Sequence, residues 1–162
     1  MKDKIREIIP YIVILVIVIL LKQYVFTTVK VNGSSMYPTL HNKDVMVLDK
    51  LSYRFNDIKR FDIVVIDIET TKLIKRVVAL PNETIEYKDN VLYINGKVIE
   101  DKYRGNADMD DFVDTLGSNE YFVIGDNRDD SIDSRVLGSV GRHQIMGKTK
   151  VILFPINRLG FK

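Results

Sequence analysis

The stretch Thr84-Ile85-Glu86-Tyr87-Lys88-Asp89-Asn90-Val91-Leu92-Tyr93-Ile94-Asn95-Gly96-Lys97-Val98-Ile99 decides the fold class. It contains three short runs rich in β-branched and aromatic residues, punctuated by two tight reversals. Asn95-Gly96 is a strong signal for a type I′ hairpin, because both central residues of that turn need positive φ. Asp89-Asn90 marks the reversal before it. Consecutive strands joined this tightly pair antiparallel.

The same pattern recurs on either side. Strands are predicted at residues 25–31, 44–49, 61–68, 72–80, 84–87, 91–94, 97–99, 121–124 and 149–154. Helical periodicity is confined to the N-terminus and a short piece at 51–55. The expected fold is therefore mainly β, an antiparallel sheet or barrel-like domain over residues 29–162, with a compact β insertion at about 84–120. Within it, residues 105–119 carry Asp108, Asp110, Asp111 and Asp114 among Gly, Ser and Asn, and read as a solvated loop.

The 162 residues carry 24 Lys and Arg against 22 Asp and Glu, a net charge of +2. That balance argues against nucleic acid as a partner. Cysteine is absent, which excludes a disulfide framework, a thiolate metal site and a cysteine nucleophile. Nothing in the sequence calls for a cofactor or a metal.

Residues 1–28 read as a short cytoplasmic stub followed by a retained transmembrane anchor. The run Ile12-Val13-Ile14-Leu15-Val16-Ile17-Val18-Ile19-Leu20-Leu21 has no polar side. It is somewhat short of the roughly 20 residues that a spanning helix needs, and Lys22 is expected to extend towards the interface. A cleavable leader should end in small residues, whereas Lys22-Gln23-Tyr24-Val25-Phe26 are bulky. A pair of buried strands is the other reading, since β-branched residues dominate. Lys2, Lys4 and Arg6 precede the span, so the positive-inside rule puts the N-terminus in the cytoplasm and the β domain outside.

Two further segments carry chemistry. In Leu73-Ile74-Lys75-Arg76-Val77-Val78-Ala79, strand alternation groups Lys75 with Leu73, Val77 and Ala79, and Arg76 with Ile74 and Val78. Either cation could point inward, but only the lysine can lose its proton and act as a base. Burial favours the neutral amine. In Asn32-Gly33-Ser34-Ser35-Met36-Tyr37-Pro38-Thr39, Gly33 permits an unusual turn and Pro38 keeps Tyr37 extended. Ser35 thus projects from a tight turn just after a strand. A hydroxyl becomes a useful nucleophile when an adjacent base takes its proton. A third segment, residues 125–135, is dense in Asp, Asn, Arg and Ser at a strand exit. Calcium-loop spacing fails there, because Arg128 falls where an oxygen ligand is required.

Together these segments resemble the type I signal peptidases, or leader peptidases. Gly33 to Thr39 fits the family's Gly-x-Ser-Met-x-Pro-Thr, residues 75–81 resemble its lysine segment, and residues 125–135 its Gly-Asp-Asn-Arg-x-x-Ser-x-Asp-Ser-Arg box. The resemblance implies a membrane-bound serine endopeptidase that removes signal peptides from exported preproteins, cutting after small residues at −1 and −3. Ser35 would be the nucleophile and Lys75 the general base. Ser131 would hydrogen-bond the lysine amine, while Asp133 and Arg135 hold the site together. The Ser35 amide would stabilise the oxyanion. Some members place a serine hydroxyl at the position of Gly33 to complete that hole, and others carry glycine. The family's Leu-Pro-Gly-Asp reads Leu80-Pro81-Asn82-Glu83 here, and Ala79 replaces a common glycine. Preproteins and the lipid bilayer are the expected partners. Met36 and Tyr37 are expected near the substrate or dipping into the membrane, unless they are core.

Other readings compete. A repressor-type autoprotease shares the serine–lysine chemistry but carries a DNA-binding half where this chain has an apolar run. A catalytically silent anchored β domain would not need both Ser35 and Lys75. His41 or His143 could join Ser35 in a triad, although both sit in polar surroundings.

Overall fold

A computed structural model describes residues 2–69 and 71–162 and, within the N-terminal helix, the side chains of residues 6–19. That helix, α1, spans Lys2–Tyr24. From Ile8 to Ile19 every residue except Pro10 is an exposed large hydrophobic, so none of the described residues covers this stretch. Among the described residues no helix is long and apolar enough to cross a membrane. The flanking cations Lys2 and Lys4, and the expected interfacial reach of Lys22, lie outside the described side chains.

The strands are β1 (Phe26–Lys30), β2 (Val45–Asp49), β3 (Ile63–Ile68), β4 (Thr71–Ala79), β5 (Thr84–Lys88), β6 (Val91–Ile94), β7 (Lys97–Ile99), β8 (Phe112–Thr115), β9 (Glu120–Ile124), β10 (Val140–Gly141), β11 (Ile145–Phe154) and β12 (Gly160–Phe161). Two single-turn helices, α2 (Ser52–Phe55) and α3 (Ser134–Leu137), interrupt them. The larger sheet runs β1-β2-β11-β3-β4-β9-β10, with β12 also on β11. The smaller runs β7-β6-β5-β8. Every pairing is antiparallel. The two predicted reversals have the expected backbone: φ is +49° and +65° at Asp89 and Asn90, and +50° and +72° at Asn95 and Gly96.

The expectation of a solvated loop at 105–119 is corrected in part. Residues 112–115 form β8, which pairs with β5 from Thr84↔Thr115 to Tyr87↔Phe112. Phe112 drives this, because its ring stacks on Phe122 at 5.5 Å and tilts against Tyr87 at 5.4 Å. The neighbouring polar residues serve as backbone partners. Asp111 accepts from the Asp89 amide, and Asn90 accepts from the Met109 amide. A sequence dense in Asp hides a strand whose apolar content is two residues, Phe112 and Val113.

One core lies between the sheets, where Val78, Ala79, Phe122 and Ile124 meet Ile85, Tyr87, Leu92 and Ile94. A second, around Val64, Ile66, Val77, Val123 and Ile145, packs the opposite face under Tyr53 of α2. A third, with Val31, Met36, Leu40, Met46, Ile63 and Ile152, anchors the segment between β1 and β2. Strand alternation holds along β4 until a register shift between Val77 and Ala79. Beyond it Ala79 joins Val78 in the inter-sheet core rather than sharing the face of Lys75. A bulge adds one residue to one strand, and the side chains after it swap faces.

Candidate active site

Ser35 and Lys75 are 40 residues apart in sequence and meet because β4 runs beside the turn that follows β1. The turn is tightly specified. Gly33 has φ +95°, a region that favours glycine. The Tyr37 amide donates to the Ser34 carbonyl and the Leu40 amide to the Met36 carbonyl, both at 2.8 Å. Met36 and Leu40 are buried in the third core and act as anchors beneath the turn. The expectation that Met36 faces substrate or membrane is therefore corrected, since only 1% of it is exposed. Tyr37, pointing the other way, is 54% exposed.

Lys75 pairs with Val64 across β3, while β9 reaches only from Arg76 to Ala79. The edge of β4 from Thr71 to Lys75 thus has no strand on its outer side among the described residues. Lys75 is 2% exposed, and its Nζ lies 2.8 Å from Ser35 Oγ. Burial lowers its pKa below the ordinary lysine value. Asp133 opposes that shift, Arg135 reinforces it, and Asp130 and Asp126 oppose it more weakly. Arg76 is just as buried but faces the other way. It forms a two-pronged pair with Asp126 at 2.8 and 2.6 Å, donates to the Phe61 carbonyl, and lies 3.4 Å over the ring of Tyr103.

The segment after β9 closes the site. The Asn127 amide donates to the Ser35 carbonyl at 3.0 Å, and its side chain donates to the Ser34 carbonyl. Ser34 Oγ donates to Asp130. Gly125 makes this approach possible, because a Cβ there would overlap the Ser35 carbonyl oxygen and the Ser131 side chain. Asp133 is fully buried and caps α3. Its carboxylate accepts from Arg135 at 2.8 and 2.9 Å and from the Gly125 amide at 2.9 Å. Burial alone would raise its pKa, but Arg135, the Gly125 amide and nearby Ser131 outweigh it and hold the carboxyl below the usual range. Arg128 sits between the sheets, paired with Asp101 at 2.6 Å and bonded to the Gly125 carbonyl and the Tyr87 hydroxyl.

Ser131 departs from expectation. Its hydroxyl is buried without a hydrogen-bond partner, and the lysine amine points to Ser35 instead. Neither histidine bonds to Ser35. His41 Nε2 contacts Arg158, which also clamps Asp44 and the Thr39 carbonyl. Asn82, standing where the resembled family has glycine, has φ +62°, which asparagine tolerates. Glu83 accepts from the Leu80 amide and from Arg60. No group of acidic or histidine side chains suited to a metal occurs among the described residues. Sequence reasoning did not find Gly125 as a contact point, Asn127 as the turn's support, or Tyr103 over Arg76. The first two lie in a segment singled out for its hydrogen-bonding density. Tyr103 left no signal.

A buried amine within hydrogen-bond distance of a turn serine, on an open strand edge, is suited to acyl transfer from an extended peptide to the serine hydroxyl. Residues 5–154 match the family profile described as signal peptidase, peptidase S26. Signal peptidase I S of Bacillus subtilis (strain 168) is 35% identical over 161 residues, covering 91% of this chain and 88% of that protein. Signal peptidase I V of the same organism is 39% identical over 152 residues, covering 84% and 90%. The crystal structure of a signal peptidase I from Enterococcus faecalis V583 superposes with a TM-score of 0.54 at 33% identity, over 57% of this chain and 97% of that one. With its β architecture, its serine turn and these relatives in agreement, the chain belongs to the signal peptidase family, peptidase S26, and is a serine endopeptidase.

Proposed function

We propose that this chain removes N-terminal signal peptides from exported preproteins at a membrane surface, with Ser35 as nucleophile and Lys75 as general base. The observation that carries this is the 2.8 Å approach of a 2%-exposed lysine amine to the serine hydroxyl. Neutral Lys75 takes the hydroxyl proton as Ser35 Oγ bonds to the scissile carbonyl carbon. The resulting ammonium then protonates the leaving amine, the C–N bond breaks, and the mature chain departs. Lys75, neutral again, takes a proton from water as its oxygen bonds to the acyl carbon; the bond from that carbon to Ser35 Oγ then breaks, Lys75 returns the proton to Oγ, and the leader leaves as a carboxylic acid that ionises in water. The Ser35 amide receives the oxyanion in each tetrahedral step. The buried Ser131 hydroxyl supplies an oxygen for the transient ammonium, and the Asp133–Arg135 pair fixes the segment that carries it.

The leader lies extended in a groove of about 700 Å³, lined by Thr27 to Lys30 and Asn32 on one side and by Thr71 and Lys72 on the other. An extended chain puts alternate side chains on one face, so −1 and −3 meet the enzyme together. The preference for small residues at those two positions is carried over from the resemblance to the signal peptidases. The exposed, all-round apolar α1 anchors the chain in the bilayer, with the N-terminus cytoplasmic and the β domain outside.

The test is cleavage of a model preprotein by detergent-solubilised protein, with the cut site mapped. Wild type cuts after small residues at −1 and −3. Ser35→Ala and Lys75→Ala fall to background while remaining folded, and so does Lys75→Arg, whose guanidinium cannot take the proton. Turnover by any of the three sinks the assignment. A wild-type protein that binds preprotein without cutting it supports a silent binding domain instead.

A further inference from the structure

The serine turn has two flanks, and they open into different spaces. Asn32, on the N-terminal side of Ser35, lines the groove between β1 and β4. Tyr37 and Pro38, on the C-terminal side, line a separate pocket of about 300 Å³, whose other walls include Arg104, Asn106, Asn127 and Asp129. A bound polypeptide must continue on both sides of the bond that is cut, so both spaces lie where substrate passes. Chain direction tells them apart. The first groove is lined by β1, which follows directly from α1 and so leads away from the membrane end. A leader whose apolar part stays in the bilayer enters from that end, and the released portion runs out past Tyr37.

The charges of the second pocket are unusual for this region. Arg76 and Arg128 are spent on Asp126 and Asp101. The Arg104 guanidinium, in contrast, bonds only to the carbonyl of Ala107, and no carboxylate pairs with it among the described residues. A guanidinium has five N–H donors, so most of its capacity remains open. Asp129 is exposed, with no hydrogen bond or ion pair among the described residues. Two unspent charges of opposite sign therefore face one small polar space beside the serine turn.

We infer that this pocket is the subsite for the first residues of the mature protein, and that Arg104 and Asp129 sort those residues by charge. The inference rests on the leader-removal reading and adds a second specificity to it. Acidic side chains just after the cut gain from Arg104 and lose from Asp129, and basic ones the reverse. Half-exposed pairs of this kind are each worth a modest change, about two- to fivefold in rate.

The experiment uses full-length protein in detergent and a model preprotein carrying Glu or Lys in turn at mature positions +1, +2 and +3. A parallel series varies −1 and −3. Expected is a Glu-to-Lys ratio of kcat/KM that falls about two- to fivefold at one or more mature positions in Arg104→Gln, and further in Arg104→Glu. In Asp129→Asn the ratio rises. The effects shrink at high salt, and the −1 and −3 preferences stay as in wild type. The subsite is overturned if wild type cuts well but all variants keep its ratio at every mature position. It is equally overturned if Arg104→Glu alters the −3 preference. A wild type that cuts no preprotein overturns the leader-removal reading and the subsite together.

Discussion

Replacing Gly125 by alanine adds one methyl group at a single contact, and its effect can be worked from the geometry. Gly125 follows β9 with ordinary backbone angles, so the substitution carries no penalty of the left-handed kind. The cost is steric. The new carbon would stand 2.7 Å from Ser131 Cβ and closer still to Ser131 Oγ and the Ser35 carbonyl oxygen. Carbon atoms rest about 3.5–4.0 Å apart, so one of these walls must retreat by roughly 1 Å. Ser131 is held by its carbonyl bond from Arg135, and Ser35 by the Asn127 amide. Either movement separates the serine turn from the residue-125 segment that supports it. Overpacking of this size costs about 1–3 kcal/mol of stability. A 1 Å error in a reacting group can cost about a hundredfold in rate. Gly125→Ala is thus expected to lower kcat/KM on a model preprotein by about a hundredfold, with the larger share in kcat. Its Tm should fall by only several degrees. Cleavage by gel densitometry over a substrate range, paired with thermal unfolding, reads both. A folded variant with wild-type kcat would refute the idea that this contact sets the position of Ser35.

Three further predictions concern the buried charges. Because burial lowers the Lys75 pKa, the rate should rise with pH and level off below the ordinary lysine value of 10.5. A profile that is flat from neutrality into mild alkali, with chemistry rate-limiting, contradicts a lysine base. The same shift governs stability: between the lowered folded value and 10.5 the unfolded chain binds more protons, so stability rises with pH across that window. Lys75→Met should stabilise the protein below the window, and the gain should vanish towards 10.5; a gain independent of pH in urea titrations would refute this. Asp126→Asn leaves the Arg76 guanidinium buried without its counter-charge, at 2% exposure. A loss of about 3–5 kcal/mol is expected by denaturant titration, and a loss under 1 kcal/mol would show that Tyr103 and the Phe61 carbonyl suffice.

The hairpins were legible because Asn-Gly and Asp-Asn state their backbone angles outright. The pairing of Ser35 with Lys75 was expected from the resemblance to the signal peptidases and not from local pattern, because the apolar strand left either Lys75 or Arg76 free to point inward and the Gly-Pro turn showed only that Ser35 projects. What stayed hidden depends on register. The bulge in β4 that moves Ala79 to the other face leaves no mark in a run of apolar residues, all of which are compatible with either face. Strand β8 was masked because its inward contacts rest on Phe112 while its neighbours are polar. Met36 looked free to face outward because sequence shows only that it adjoins Ser35. Its burial comes from Val31, Met46, Ile63 and Ile152, which are gathered from four separate segments.

The pairing of Arg128 with Asp101 has a practical corollary. Removing the smaller sheet to make a minimal enzyme would strip the cover from Val78, Ala79, Phe122 and Ile124 and strand a guanidinium that has 0% exposure. The four strands are thus a keystone and not an ornament: trimming them dismantles the floor under the residue-125 segment. Fusion partners or affinity tags belong instead at the Asn95–Gly96 tip, which is exposed and where nothing lies within 4 Å of an added carbon at Gly96.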